Sequence, residues 1–150
     1  MRILFLILTF LFSLNSFSQK KKLPIKVIDA TVQFWQSPAP GGRNGWSYTI
    51  KIFINTAQKI DFTSVWLKER NAPFSIEFFS QEIQKQIRQN DSVLLTYTTV
   101  NGVEENYPEA KRVPLSYKGD ALIEAIIDGK TRYFIVKKFR TLPLPKKDVK

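Results

Sequence analysis

From Trp46 to Thr56 the chain alternates strictly. Trp46, Tyr48, Ile50, Ile52 and Ile54 fall on one side, and Ser47, Thr49, Lys51, Phe53 and Asn55 on the other. A period of two predicts a β-strand with one continuous core face. The same alternation runs from Asp29 to Gln36, where Ala30, Val32 and Phe34 oppose Thr31, Gln33 and Trp35. Ile60 to Lys68 is apolar on both faces around Val65, Trp66 and Leu67, as a central strand between two layers would be. Phe74 to Phe78 and Ser92 to Val100 predict two more strands, and Val113 to Tyr117 a short one with Pro114 at an edge position. Arg70 to Pro73 reads as a turn. Ser80 to Gln89 suits either a turn or two of helix or a short edge strand.

The strongest local signal lies between Asp120 and Phe139. Two β-rich runs flank Asp128-Gly129, and both of those residue types tolerate the positive φ of a type I′ hairpin turn. Asn101-Gly102 is a second turn signal. Ser37 to Gly45 holds two prolines and three glycines and predicts a long loop. Thr141 to Pro145 ends regular structure, because prolines donate nothing to a ladder.

Short strands with little helix predict an all-β, immunoglobulin-like β-sandwich of about seven or eight strands, with a small closed barrel as the alternative. Trp66 in the third strand is similar to the core tryptophan of such sandwiches.

The first residues change the picture. Met1-Arg2, the apolar run Ile3 to Phe17 and the small residues Ser16 and Ser18 predict a signal peptide over residues 1–18. The run is short against the ~20 residues of a spanning helix, although Lys20, Lys21 and Lys22 could flank a retained anchor. After the leader we expect a basic tail over 19–28, one sandwich domain over 29–140 and a basic tail over 141–150. Cleavage implies a periplasmic or extracellular protein with no transmembrane span. The chain has no cysteine, so a lipid anchor on cysteine and any disulfide are excluded. Hydrophobic burial must then hold the domain together.

The formal net charge is +10 over 150 residues. Basic and acidic residues balance through the body, and the excess sits at the two ends. Lys20, Lys21, Lys22, Lys137, Lys138, Arg140, Lys146 and Lys147 are therefore candidate contacts to an anionic surface, or a solvated fringe that keeps the domain soluble. Nucleic acid is an improbable partner, because aromatic residues do not interleave with these cations.

With no histidine and no cysteine, the chain has no imidazole base, thiol nucleophile or thiolate metal site. No cofactor is expected. Carboxylates remain, and Glu104, Glu105 and Glu109 form the densest group, which reads first as a solvated loop. Trp35, Arg43, Asn44 and Trp46 flank the Ser37–Gly45 loop. Indole faces beside amide and guanidinium donors can stack on a sugar or peptide, or can cap the end of the core. Trp46 heads an apolar face and is expected to be buried. Asn90-Asp91-Ser92 fits a glycosylation sequon.

The run Tyr117 to Glu124, followed by Asp128 to Tyr133, resembles the C-terminal half of small exported β-sandwich proteins of Bacteroidota-type bacteria. The glycine-rich loop before Trp46 and the Ser-Phe-Ser-Gln leader end are similar too. That group has no assigned activity, so the resemblance implies export and carries over no functional residue. The expectation is an exported, non-enzymatic binding or accessory domain of the cell envelope, with an anionic envelope component or a protein as partner. The alternatives are a structural module that pairs by a sheet edge, and a carboxylate-dependent hydrolase.

Overall fold

The computed structural model describes residues 22–68, 70–78, 87–102 and 112–144. The leader, Lys20, Lys21, Lys146, Lys147, most of the Ser80–Gln89 stretch and Glu104, Glu105 and Glu109 lie outside them. Among the described residues there are nine strands: β1 (Ile25–Gln36), β2 (Asn44–Ile54), β3 (Ile60–Leu67), β4 (Arg70–Ala72), β5 (Ser75–Phe78), β6 (Ser92–Thr98), β7 (Ala121–Ile127), β8 (Lys130–Val136) and β9 (Arg140–Thr141).

They form two sheets, ordered β5-β6-β2-β1-β9 and β4-β3-β7-β8. Taking β1 to β8 as A, B, C, C′, D, E, F and G gives D-E-B-A against C′-C-F-G. That is the order of an immunoglobulin-like sandwich. The core lies between the sheets and is built from Ile50, Ile52, Ile54, Val93 and Leu95 on one side and Phe62, Val65, Ile123 and Ile127 on the other.

Two short strands raise the count above seven or eight. Arg70–Ala72 is β4 and not a plain turn, because the chain reverses at Lys68 with φ 57° and pairs Val65, Trp66 and Leu67 with Ala72, Asn71 and Arg70. β9 pairs in parallel with β1 at Thr31 and Val32. Val113 to Tyr117 forms no ladder. It alternates half-buried Val113, Leu115 and Tyr117 with exposed residues. The Asp128-Gly129 turn is as expected, with φ of 51° and 73° and the closing pair Ile127 and Lys130.

β1 begins at Ile25, four residues before the alternation in sequence suggests, and so takes in part of the stretch read as a tail. Ile25 and Val27 pair with Ile54 and Ile52, and a bulge at Ile28 then resets the register to Asp29 against Lys51. Bulges bend an edge strand and re-aim the extra side chain. In β3 a second bulge at Thr63 has a larger consequence. Val65 pairs with Ile123 in the core, so Trp66, paired with Leu122, faces out of the sandwich. It is still fully buried. Tyr117 anchors residues 112–119 there by donating its hydroxyl to the Lys68 carbonyl. Trp66 is thus buried on the outer side of its sheet and is not the inter-sheet tryptophan.

The crossover from β8 to β9 carries the chain from one sheet to the other. Phe139 is buried in it, and the Asp120 carboxylate accepts the Phe139 N–H at 2.8 Å. Lys137 and Lys138, between them, are exposed.

Candidate functional site

Two regions bring together residues with recognition chemistry. The first is the tryptophan end, where the β1–β2 hairpin closes. Gln36 pairs with Asn44, and the Ser37 N–H donates to the Arg43 carbonyl at 2.8 Å. Trp35, Asn44 and Trp46 do converge there, around Thr99 and Asn101. The Trp35 indole N–H donates to the Thr99 carbonyl at 3.2 Å, and the Trp46 N–H to the Thr99 hydroxyl at 3.0 Å. The Asn101 side-chain amide donates to the Asn44 side-chain carbonyl at 2.6 Å. Gly45 is buried so tightly that a Cβ would fall 1.8 Å from the Thr99 carbonyl oxygen. Trp35 is half-buried and its one donor is engaged.

Trp46 is 38% exposed, against expectation. It shares the inner side of its sheet with Tyr48 and Ile50, but the alternation fixes only the side. At this end the ring meets Phe34 edge-on, with centroids 5.3 Å apart. One step inward, Tyr48 stacks on Tyr97 at 5.9 Å and meets Phe139 edge-on at 5.4 Å. Burial raises the Tyr48 phenol above its ordinary pKa. Arg43 stands outside this network with its side chain exposed. The arrangement is a structural clasp carrying one exposed indole face.

The second region is the side of the sandwich where β1 and β8 lie opposite each other. β8 is the last strand of its sheet among the described residues. β9 flanks β1 only at Thr31 and Val32, so the Ile25–Ala30 half of β1 lies beyond it. Between them runs an open groove of about 980 Å³. Its length, set by seven residues of β8, is roughly 20 Å. Being open along that length, it suits an extended or planar partner better than an enclosed small molecule.

The floor includes Val27, Ala30, Phe134 and Val136. Five basic residues line the rim: Lys26, Arg132, Lys137, Lys138 and Arg140. Asp29 is the one acid among the described lining residues, and Arg140 holds it at 2.8 Å. Lys137, Lys138 and Arg140 are legible in the sequence as part of a cationic end, whereas Lys26 and Arg132 join them only through the fold. Their signal was a lysine next to apolar Val27 and Ile28, and a β8 strand that keeps cations at Lys130 and Arg132 on the side of core-facing Ile127 and Ala125. Lys22 is exposed just before the groove.

Asn90, in the candidate sequon, is exposed in a turn with φ 69°. Among the described residues no group of acids, histidines or cysteines is placed to hold a metal ion. No helix there is long and apolar enough to cross a membrane.

The strand order and the two-sheet core make this chain an immunoglobulin-like β-sandwich. Comparison with family models, curated proteins and solved structures returned no match.

Proposed function

We propose that the chain is an exported, non-enzymatic binding domain of the cell envelope that attaches to an anionic envelope component through the β1/β8 groove. One observation carries this reading. Cations from β1, β8 and the crossover converge on a single groove, and the one acid among its described lining residues is already paired. Such clustering concentrates positive potential where a partner can reach it, and long-range attraction raises the encounter rate. Lys22, exposed just before β1, adds to the same field. The leader-like N-terminus supports export.

The test is retention on immobilised polyphosphate over a salt series. Tight retention near 0.05 M salt, lost by about 0.5 M, is expected from screening. Replacing Lys26 and Arg132 together by Gln should move elution to clearly lower salt. Retention that ignores salt, or is the same in that variant, would refute the assignment. Trp35→Ala on the same column should elute with the unmodified protein.

A further inference from the structure

The groove carries a second kind of group that polyanion binding does not use. Among the described residues the large exposed apolar side chains are Leu23, Ile28, Trp46, Ile76, Tyr133, Ile135 and Leu144, and four of these seven line this groove. Leu23 is 65% exposed, Ile28 48%, Ile135 45% and Tyr133 37%. Scattered exposed apolar residues need no explanation, but a cluster ringed by cations does. We propose that this side of the sandwich docks on the surface of an anionic lipid bilayer. Ile28 and Ile135, with Leu23 and Tyr133, enter the headgroup layer, while Lys26, Arg132, Lys137 and Lys138 meet lipid phosphates. The inference rests on the anionic-partner reading above and names the partner's class.

Three features point to a bilayer over a polypeptide strand. The exposed apolar side chains come from both strands that border the groove, Ile28 at the β1 bulge and Ile135 on the outer face of β8 beside Gly119, so they spread over more surface than a single extended strand covers. The edges are guarded against strand addition. The Ile28 bulge breaks the regular line of β1, and Lys130 and Arg132 project on the inter-sheet side of β8, both of which discourage an incoming strand. Finally, isoleucines flanked by long cationic side chains match the depth profile of a lipid interface. Alkyl groups lie deepest there, and lysine and arginine stems extend their charges to the phosphate level. A tyrosine suits that boundary as well.

The test uses the chain from Gln19 to Lys150, which keeps every described strand and omits the apolar leader that would itself enter lipid. Co-sedimentation is measured with phosphatidylcholine vesicles and with vesicles containing 30% phosphatidylglycerol (about that fraction is enough to set a strong surface potential). We expect binding only to the anionic vesicles, weakened about fivefold by each of Arg132→Gln and Lys138→Gln. The pair Ile28→Ser with Ile135→Ser removes apolar surface without changing charge. It should lower vesicle partition at least tenfold while leaving polyphosphate retention within twofold. Circular dichroism of the pair should match the parent, since both side chains are half exposed. An Ile28→Trp variant should shift its emission to the blue on anionic vesicles.

Vesicle binding unaffected by the serine pair, or no blue shift, overturns the docking face. Polyphosphate retention without vesicle binding overturns it too and leaves the anion-binding reading standing, whereas loss of both removes the two together. Displacement of the protein from vesicles by an extended acidic peptide that binds the serine pair as well as the parent would make this a peptide groove.

Discussion

The tryptophan end and the β1/β8 side hold similar raw material and use it in opposite ways. Both combine aromatic or branched apolar side chains with hydrogen-bond donors. At the tryptophan end the donors turn inward. The indole of Trp35, the Trp46 amide and the Asn101 side chain all bond within the protein, around a glycine with no room for a Cβ. On the β1/β8 side the ammonium and guanidinium groups turn outward, and Asp29 neutralises only one of them. A group already satisfied gains little from a ligand, because binding must break what it has. A solvated cation beside exposed apolar surface can gain both charge contact and burial. The first region is therefore architecture and the second is available for recognition.

Substitutions can break that contrast, and the largest effect belongs at the tight clasp. Gly45→Ala should lower unfolding free energy by about 3 kcal/mol in urea titration, because the new methyl meets backbone at Thr99 and not a movable side chain. In the same titration Arg132→Gln and Lys138→Gln should stay within about 0.5 kcal/mol of the parent, as exposed residues without a structural role do. Equal losses at both places would erase the distinction.

Trp35→Phe is the next step down. It keeps most of the ring but removes the donor to the Thr99 carbonyl, and should cost about 1 kcal/mol. A sugar-binding role would instead appear as lost ligand affinity at unchanged stability.

Tyr48 adds a pH signature to the aromatic row beneath the clasp. Its folded pKa is raised by burial, so the neutral phenol is favoured in the native state. The stabilisation is complete below the unfolded value of about 10 and is lost as pH rises from there through the folded value. Thermal unfolding followed from pH 9 upward should therefore show a decline in Tm beginning near pH 10, and Tyr48→Phe should make that decline shallower. The smallest effect is expected at the ion pair by the groove. Asp29→Asn should change stability by under about 0.5 kcal/mol, because both partners are well exposed. It should strengthen polyphosphate retention by freeing Arg140.

Much of the fold was legible along the chain. Period-two runs located β2, β6 and most of β1, an apolar run located β3, and Asp128-Gly129 located the β7–β8 hairpin, because residue chemistry selects a strand's two faces and a turn's φ signs locally. The misreadings have one kind of cause. Lys26-Val27-Ile28 looked like the end of a basic tail, yet Ile25 and Val27 find Ile54 and Ile52 across the ladder and become strand. Trp66 looked like an inter-sheet residue, yet one extra residue at Thr63 turns it to the opposite face. Trp46 was placed on the correct side of its sheet, but its exposure depends on how far the facing sheet extends.

The amino-acid order by itself determined an all-β chain with a leader-like start, no crosslink, and cationic ends on a charge-balanced body. These follow from local patterning and composition, and no distant contact alters them. Tertiary structure alone decided that Lys26, near one end, and Arg132 to Arg140, near the other, share one groove with Ile28 and Ile135. That meeting depends on which strands end each sheet and where a bulge falls, and pairing between distant segments settles both.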